Sequence, residues 1–246
     1  MKKFNNETVE IYNHFKEQVG SESGAQFFSI QNIKDICHEI KPKRVLEMGG
    51  GIGTLSYTIL SNSNAFLDIY EQNSFCRSRL EENLKQFQGR YQIINTYRML
   101  PPSREYDLMI IDGGAGKGRD KGYFQSAWFF LSYIQSIKIV YVEGRRRLQR
   151  IWARKALRQR YIYKLTKYDK KYNKAEDVDE KSQEGLKIGG LKIECRPSKF
   201  RLLRLINYFF WEIREVTLFK YFILYRIKKI KLFLNYNLPR RDNKND

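Results

Sequence analysis

Cysteine is scarce in this chain of 246 residues, and the three present, Cys37, Cys76 and Cys195, are scattered with no C-x-x-C pair. That pattern argues against a disulfide framework and against a zinc site; no tight Asp/Asn pair stands at 143–145, where Glu-Gly-Arg is found instead, so no metal is expected. Only two histidines are present; His38, alone in a helical segment, ranks last among the candidate bases. No stretch reaches the ~20 consecutive apolar residues needed to cross a bilayer. The most apolar region, near the carboxyl terminus, is broken by Arg204, Glu212, Arg214, Glu215, Lys220 and Arg226. The amino terminus, Met-Lys-Lys-Phe-Asn-Asn-Glu, lacks the apolar core of a secretory signal, so a cytoplasmic location is expected. Acid is also short, with 27 Asp and Glu against 46 Lys and Arg, a net charge of +19. Such an excess points to an anionic partner, whether nucleic acid, phospholipid or a phosphorylated substrate, and says nothing about fold.

What the chain does have is a burst of glycine. Residues 44–57 read Arg-Val-Leu-Glu-Met-Gly-Gly-Gly-Ile-Gly-Thr-Leu-Ser-Tyr. An apolar strand ends beside a carboxylate, glycines follow, and Thr54 opens a helix. Glycine accepts positive φ and lets a ligand approach the backbone, while the helix start offers unpaired N–H groups. A nucleotide-like ligand fits this arrangement. The dinucleotide fingerprint G-x-G-x-x-G/A fits poorly, because Thr54 stands where a third small residue is needed.

The spacing Glu47-x-Gly49-x-Gly51-x-Gly53 resembles motif I of the class I S-adenosylmethionine-dependent methyltransferases. The resemblance implies a Rossmann-like, doubly wound α/β sheet, mostly parallel with a reversed final strand. It also implies S-adenosylmethionine as cofactor, with the glycines packed under its methionine part and Glu47 near its amino group. The alternation along the chain agrees. A helix over 25–40 carries Ile30, Ile33, Ile36, Cys37 and Ile40 on one face. Strands are expected at 65–71, 91–96, 106–111, 138–144 and 161–168, with helices over 74–86, 123–135 and 145–158. Glu71 ends the second strand 18 residues past Gly53, where such folds place a ribose-binding acid, and is preferred to Asp68 for that role. Tyr97 and Arg98 are weaker candidates for the adenine.

Asp112 closes the run Tyr106 to Ile111 and Glu143 ends the next strand; both should face the site and are the candidate catalytic bases, Asp112 also touching cofactor. The Asp-Gly that ends the first run resembles small-molecule and sugar O-methyltransferases more than the amino-group methyltransferases of nucleic acids. Lys117 and Arg119 in the glycine-rich loop 113–122, with Arg145 and Arg146, are the candidate acceptor contacts. Arg147, Arg150, Arg154 and Arg158 then form a cationic stripe at helical spacing, read either as a solvated outer face or as part of the substrate side. Residues 186–195 read as a hairpin around Gly189-Gly190.

Three segments follow: a helical amino-terminal segment over 1–24, the cofactor-binding domain over 25–197, and a basic, aromatic helical extension over 198–246. The expected activity is O-methylation of a small or glycan-like, anionic acceptor. RNA methylation suits the charge and aromatics, though no RNA-binding module is recognisable. A polyamine synthase fits less well, since Asp-Gly-Gly-Ala stands where its acidic motif would be. A catalytically silent adaptor is the alternative outside enzymes. The extension over 198–236 would pack on protein, including a second copy, or lie on the inner membrane face.

Overall fold

Seven strands order themselves β3-β2-β1-β4-β5-β7-β6 in one sheet. The computed structural model describes residues 6–21, 24–113, 123–144, 146–168 and 190–214. Strands β1 (Arg44–Met48), β2 (Phe66–Tyr70), β3 (Tyr91–Ile94), β4 (Glu105–Ile111) and β5 (Ser136–Val142) run parallel. Strand β7 (Leu191–Pro197) is reversed and lies between β5 and β6 (Tyr161–Lys167), antiparallel to both. The chain leaves β1 toward β2 and returns to β4 on its other side, so the switch point of the sheet lies between β1 and β4.

Both faces of the sheet are covered, which is why the central strands read as nearly unbroken apolar runs. Val45, Leu67, Ile69, Leu108 and Ile110 pack under helices α1 (Asn6–Lys16), α2 (Phe27–Ile40) and α3 (Thr54–Asn62), joined by Leu80 of α4 (Ser74–Asn83). Their neighbours Leu46, Met48, Met109, Ile111, Val140 and Val142 pack under α5 (Tyr123–Tyr133) and α6 (Arg147–Leu157). On α2, Ile30, Ile33, Ile36 and Cys37 are all buried, the expected stripe. Asn73 caps α4 by accepting from the Cys76 amide at 3.2 Å, and the helix gives way to a 3-10 turn at Lys85–Phe87.

Two expectations are corrected. The final antiparallel pair is β6 with β7, separated by residues 168–190, rather than a tight hairpin around Gly189-Gly190; the first arm of that hairpin lies outside the described residues. Gly190 serves a close approach instead. A Cβ there would stand 2.1 Å from the Tyr141 hydroxyl. Arg154 in α6 and Arg158 at its end do not belong to a solvated stripe either. Arg154 is buried and pairs with Glu212 at 2.7 Å, and Arg158 stacks on Tyr208. They seat a further helix, α7 (residues 201–214), against the sheet edge. Asn207 pairs with both the amide and the carbonyl of Tyr163, and the Trp211 indole donates to the same carbonyl at 2.9 Å. Residues 215–246 lie outside the described residues.

Candidate functional site

Strand register brings the candidate residues together. Met48 is level with Tyr70 and Ile111, and Ile111 with Val142. The residues that follow these four positions are Gly49, Glu71, Asp112 and Glu143, set side by side at the carboxyl edge, where ligands bind in such sheets. A cleft of about 880 Å³ opens there, walled by Glu47, Gly49 to Ile52, Glu71, Asn73, Phe75, Asp112 and Arg146.

The glycines have separate jobs. Gly49 has φ +87°, and a Cβ on it would fall 1.8 Å from the Asp112 carbonyl oxygen, so the turn after β1 can lie against β4 only without a side chain. Gly51 has φ +53° and nothing within 4 Å of a built Cβ, so any side chain there would project into open space along the cleft wall. Gly53, with φ +102°, precedes the first turn of α3 and packs on Leu80.

Glu47 is buried beneath this turn. Its Oε2 accepts from Ser56 Oγ at 2.5 Å, and its Oε1 has no hydrogen-bond partner among the described residues. Burial pushes its pKa well above the usual carboxylate range; nearby Asp112 and Glu71 add to the shift, and the Ser56 hydroxyl opposes it. Glu71 accepts from the amides of Gly51 and Asn73, both at 2.8 Å, tying the glycine turn to the start of α4. Asp68, its competitor, faces away from the cleft and is bound by Arg44, Tyr106 and Gln92.

Arg146 is the hub of the acidic wall. Its guanidinium donates to Asp112 Oδ1 at 2.6 Å, to Glu143 Oε2 at 3.4 Å and to the Gly113 carbonyl. Burial, helped by the nearby Glu143, lifts Asp112 to about 8 against the pull of Arg146. Two carboxylates thus share one guanidinium. Glu143 is one layer back, its other oxygen held by Ser29 Oγ at 3.0 Å, in a buried group with Tyr141 and Asn32.

Other candidates sit elsewhere. Tyr97 stacks on Tyr70 and bonds its carbonyl, and Arg98 is not on the cleft wall. His38 bonds Asn62 in a separate groove that Lys41, Lys43 and Arg90 also line. Lys117, Arg119 and Arg145 lie outside the described residues. Among the described residues no group of three or more His, Cys, Asp or Glu is placed to hold a metal. The sequence did not single out Val19 and Gly20, from the segment after α1, or Phe75 and Cys76 at the start of α4, all of which line the cleft. For Phe75 a signal existed: a large aromatic four residues past Glu71, at a helix start.

No family model matches the sequence, and no curated protein matches it significantly. Solved structures do match. An O-methyltransferase from Bacillus cereus in complex with S-adenosylhomocysteine aligns with TM-score 0.55 at 8% identity, over 79% of this chain and 92% of that one. A protein of Pyrococcus horikoshii provisionally described as an RNA methyltransferase aligns with TM-score 0.54 at 16% identity, over 80% of this chain and all of the other. An S-adenosylhomocysteine-bound methyltransferase of Podospora anserina gives 0.50 at 13% identity, over 78% and 89%. With its strand order, reversed β7 and site at the β1–β4 switch point, this chain has the fold of the class I S-adenosylmethionine-dependent methyltransferases.

Proposed function

We propose that this chain is an S-adenosylmethionine-dependent methyltransferase acting on an oxygen of a small or glycan-like, anionic acceptor. The observation that carries the reading is the sign of the cleft. In a chain of net charge +19, its described wall holds three carboxylates, Glu47, Glu71 and Asp112, and one guanidinium, Arg146. Burial favours the protonated forms of Glu47 and Asp112, and a ligand cation that takes the place of those protons finds carboxylate partners there, which the pyrophosphate of a dinucleotide would not. The buried Glu47 Oε1 lacks a donor, and a ligand ammonium supplies one. Glu71, at the end of β2, keeps acceptor capacity for ribose hydroxyls beyond its two amide bonds. Gly51 leaves room against the turn.

Bound there, the cofactor supplies a methyl group made electrophilic by its sulfonium. The chain's own part is to align an acceptor oxygen and take its proton. Asp112, on the cleft wall, is the base by position; Glu143 stands behind it, and both are engaged by Arg146. An acceptor that brings an anionic group to Arg146 competes with Asp112 for the guanidinium, and with less of that cation's pull Asp112 has a higher affinity for the acceptor's proton. Lys117, Arg119 and Arg145 join in holding the anion. RNA is the second acceptor class, favoured by the net charge.

Calorimetric titration with S-adenosylmethionine, S-adenosylhomocysteine and NAD tests the cofactor. Binding of the first two, absent for NAD and weakened by Gly51→Arg and Glu71→Ala, is expected. No binding would overturn the reading and leave the adaptor role in front. Methyl transfer to anionic glycans and phenols, with RNA in parallel, then tests the acceptor.

A further inference from the structure

We propose that helix α7 is a docking surface for anionic phospholipid bilayers. The inference does not depend on the cofactor reading. One side of α7 is fastened to the sheet edge through Asn207, Tyr208, Trp211 and Glu212. The opposite side carries Leu202, Ile206, Phe209, Phe210 and Ile213, exposed at 69%, 56%, 56%, 55% and 67%. With 3.6 residues per turn they share an arc of about 100°. A contiguous apolar stripe of this kind, backed by a fixed helix, marks an interaction surface.

Charge selects the occupant. Lys199, Arg201 and Arg214 are exposed at the ends of the stripe, and residues 198–246 hold 12 Lys and Arg against 4 Asp and Glu. A second copy would bring another net +19 to the face. The chain's own residues 215–246, with 8 basic and 3 acidic side chains, would also bring like charge. An anionic bilayer takes the apolar stripe among its acyl chains and neutralises the cations around it. No described helix is long and apolar enough to cross a membrane, so the contact is interfacial.

Co-sedimentation of the full chain with vesicles tests this, using phosphatidylcholine alone and an equal mixture with phosphatidylglycerol. Binding is expected only to the anionic vesicles, weaker at high salt, and reduced at least tenfold by Ile206→Glu with Phe210→Glu. The charge variant Lys199→Glu with Arg201→Glu leaves the apolar stripe intact and should also weaken binding. Unfolding temperature checks that both variants fold. Anionic-vesicle binding that Ile206→Glu with Phe210→Glu leaves unchanged would overturn the proposal. So would failure to bind vesicles, either by a dimer that the same variant dissociates or by a monomer.

Discussion

Gly49 and Gly51 both sit in the left-handed region, yet their surroundings separate what a side chain would cost. At Gly51 a methyl group meets nothing within 4 Å, so Gly51→Ala should cost only the conformational term, about 1 kcal/mol. At Gly49 the same group collides with the Asp112 carbonyl, and Gly49→Ala should cost clearly more, at least about 2 kcal/mol. Urea unfolding of the pair measures the difference. Asp112 gives a pH signature. Its native pKa, about 8, lies above the ordinary 3.8, so between those values the folded state holds a proton that the unfolded state has lost. Stability from this group therefore falls as pH rises from about 4 to about 8 and is level beyond. Asp112→Asn should remove that slope, so the unfolding temperature of the variant minus that of the wild type should climb across this window. The positions of Gly49, Glu71 and Asp112 were readable because strand ends and glycine runs mark themselves in a sequence. The role of Arg146 was not, since nothing in Arg145-Arg146-Arg147 says which guanidinium turns inward to two carboxylates.

At the scale of elements, α7 shows what a linear pattern hides. The periodic arginines of α6 and the aromatic run after Pro197 were both visible, but their meeting was not. Arg154 is inside, with 2% of its side chain exposed, because Glu212 reaches it from α7. Glu212→Ala leaves that guanidinium buried without its partner. The expected loss is about 2–3 kcal/mol by denaturant unfolding, below the range for wholly buried pairs because Glu212 is partly wet. The double variant Arg154→Met with Glu212→Leu should regain most of that loss, since no unpaired charge then remains. Strand β7 taught the same lesson. Its alternation was legible, whereas its insertion between β5 and β6, with Gly190 close against Tyr141, joins residues distant in sequence.

For the whole molecule, a ligand that binds only the folded chain should raise its melting temperature. At a hundredfold excess over its dissociation constant, S-adenosylhomocysteine should add about 2.7 kcal/mol, or roughly 5–10 °C for a chain of this size. Differential scanning fluorimetry should show that shift, with none for NAD and none for Gly51→Arg. The reversed strand has a consequence for biosynthesis. When β6 has left the ribosome, it and β5 each present an open edge, and the strand that joins them comes only after the 23 residues 168–190. A nascent chain stalled in that interval carries two unzipped edges at once, the condition under which strands pair with the wrong neighbour. Translation across residues 168–190 is therefore an interval in which both edges stay open to wrong pairing.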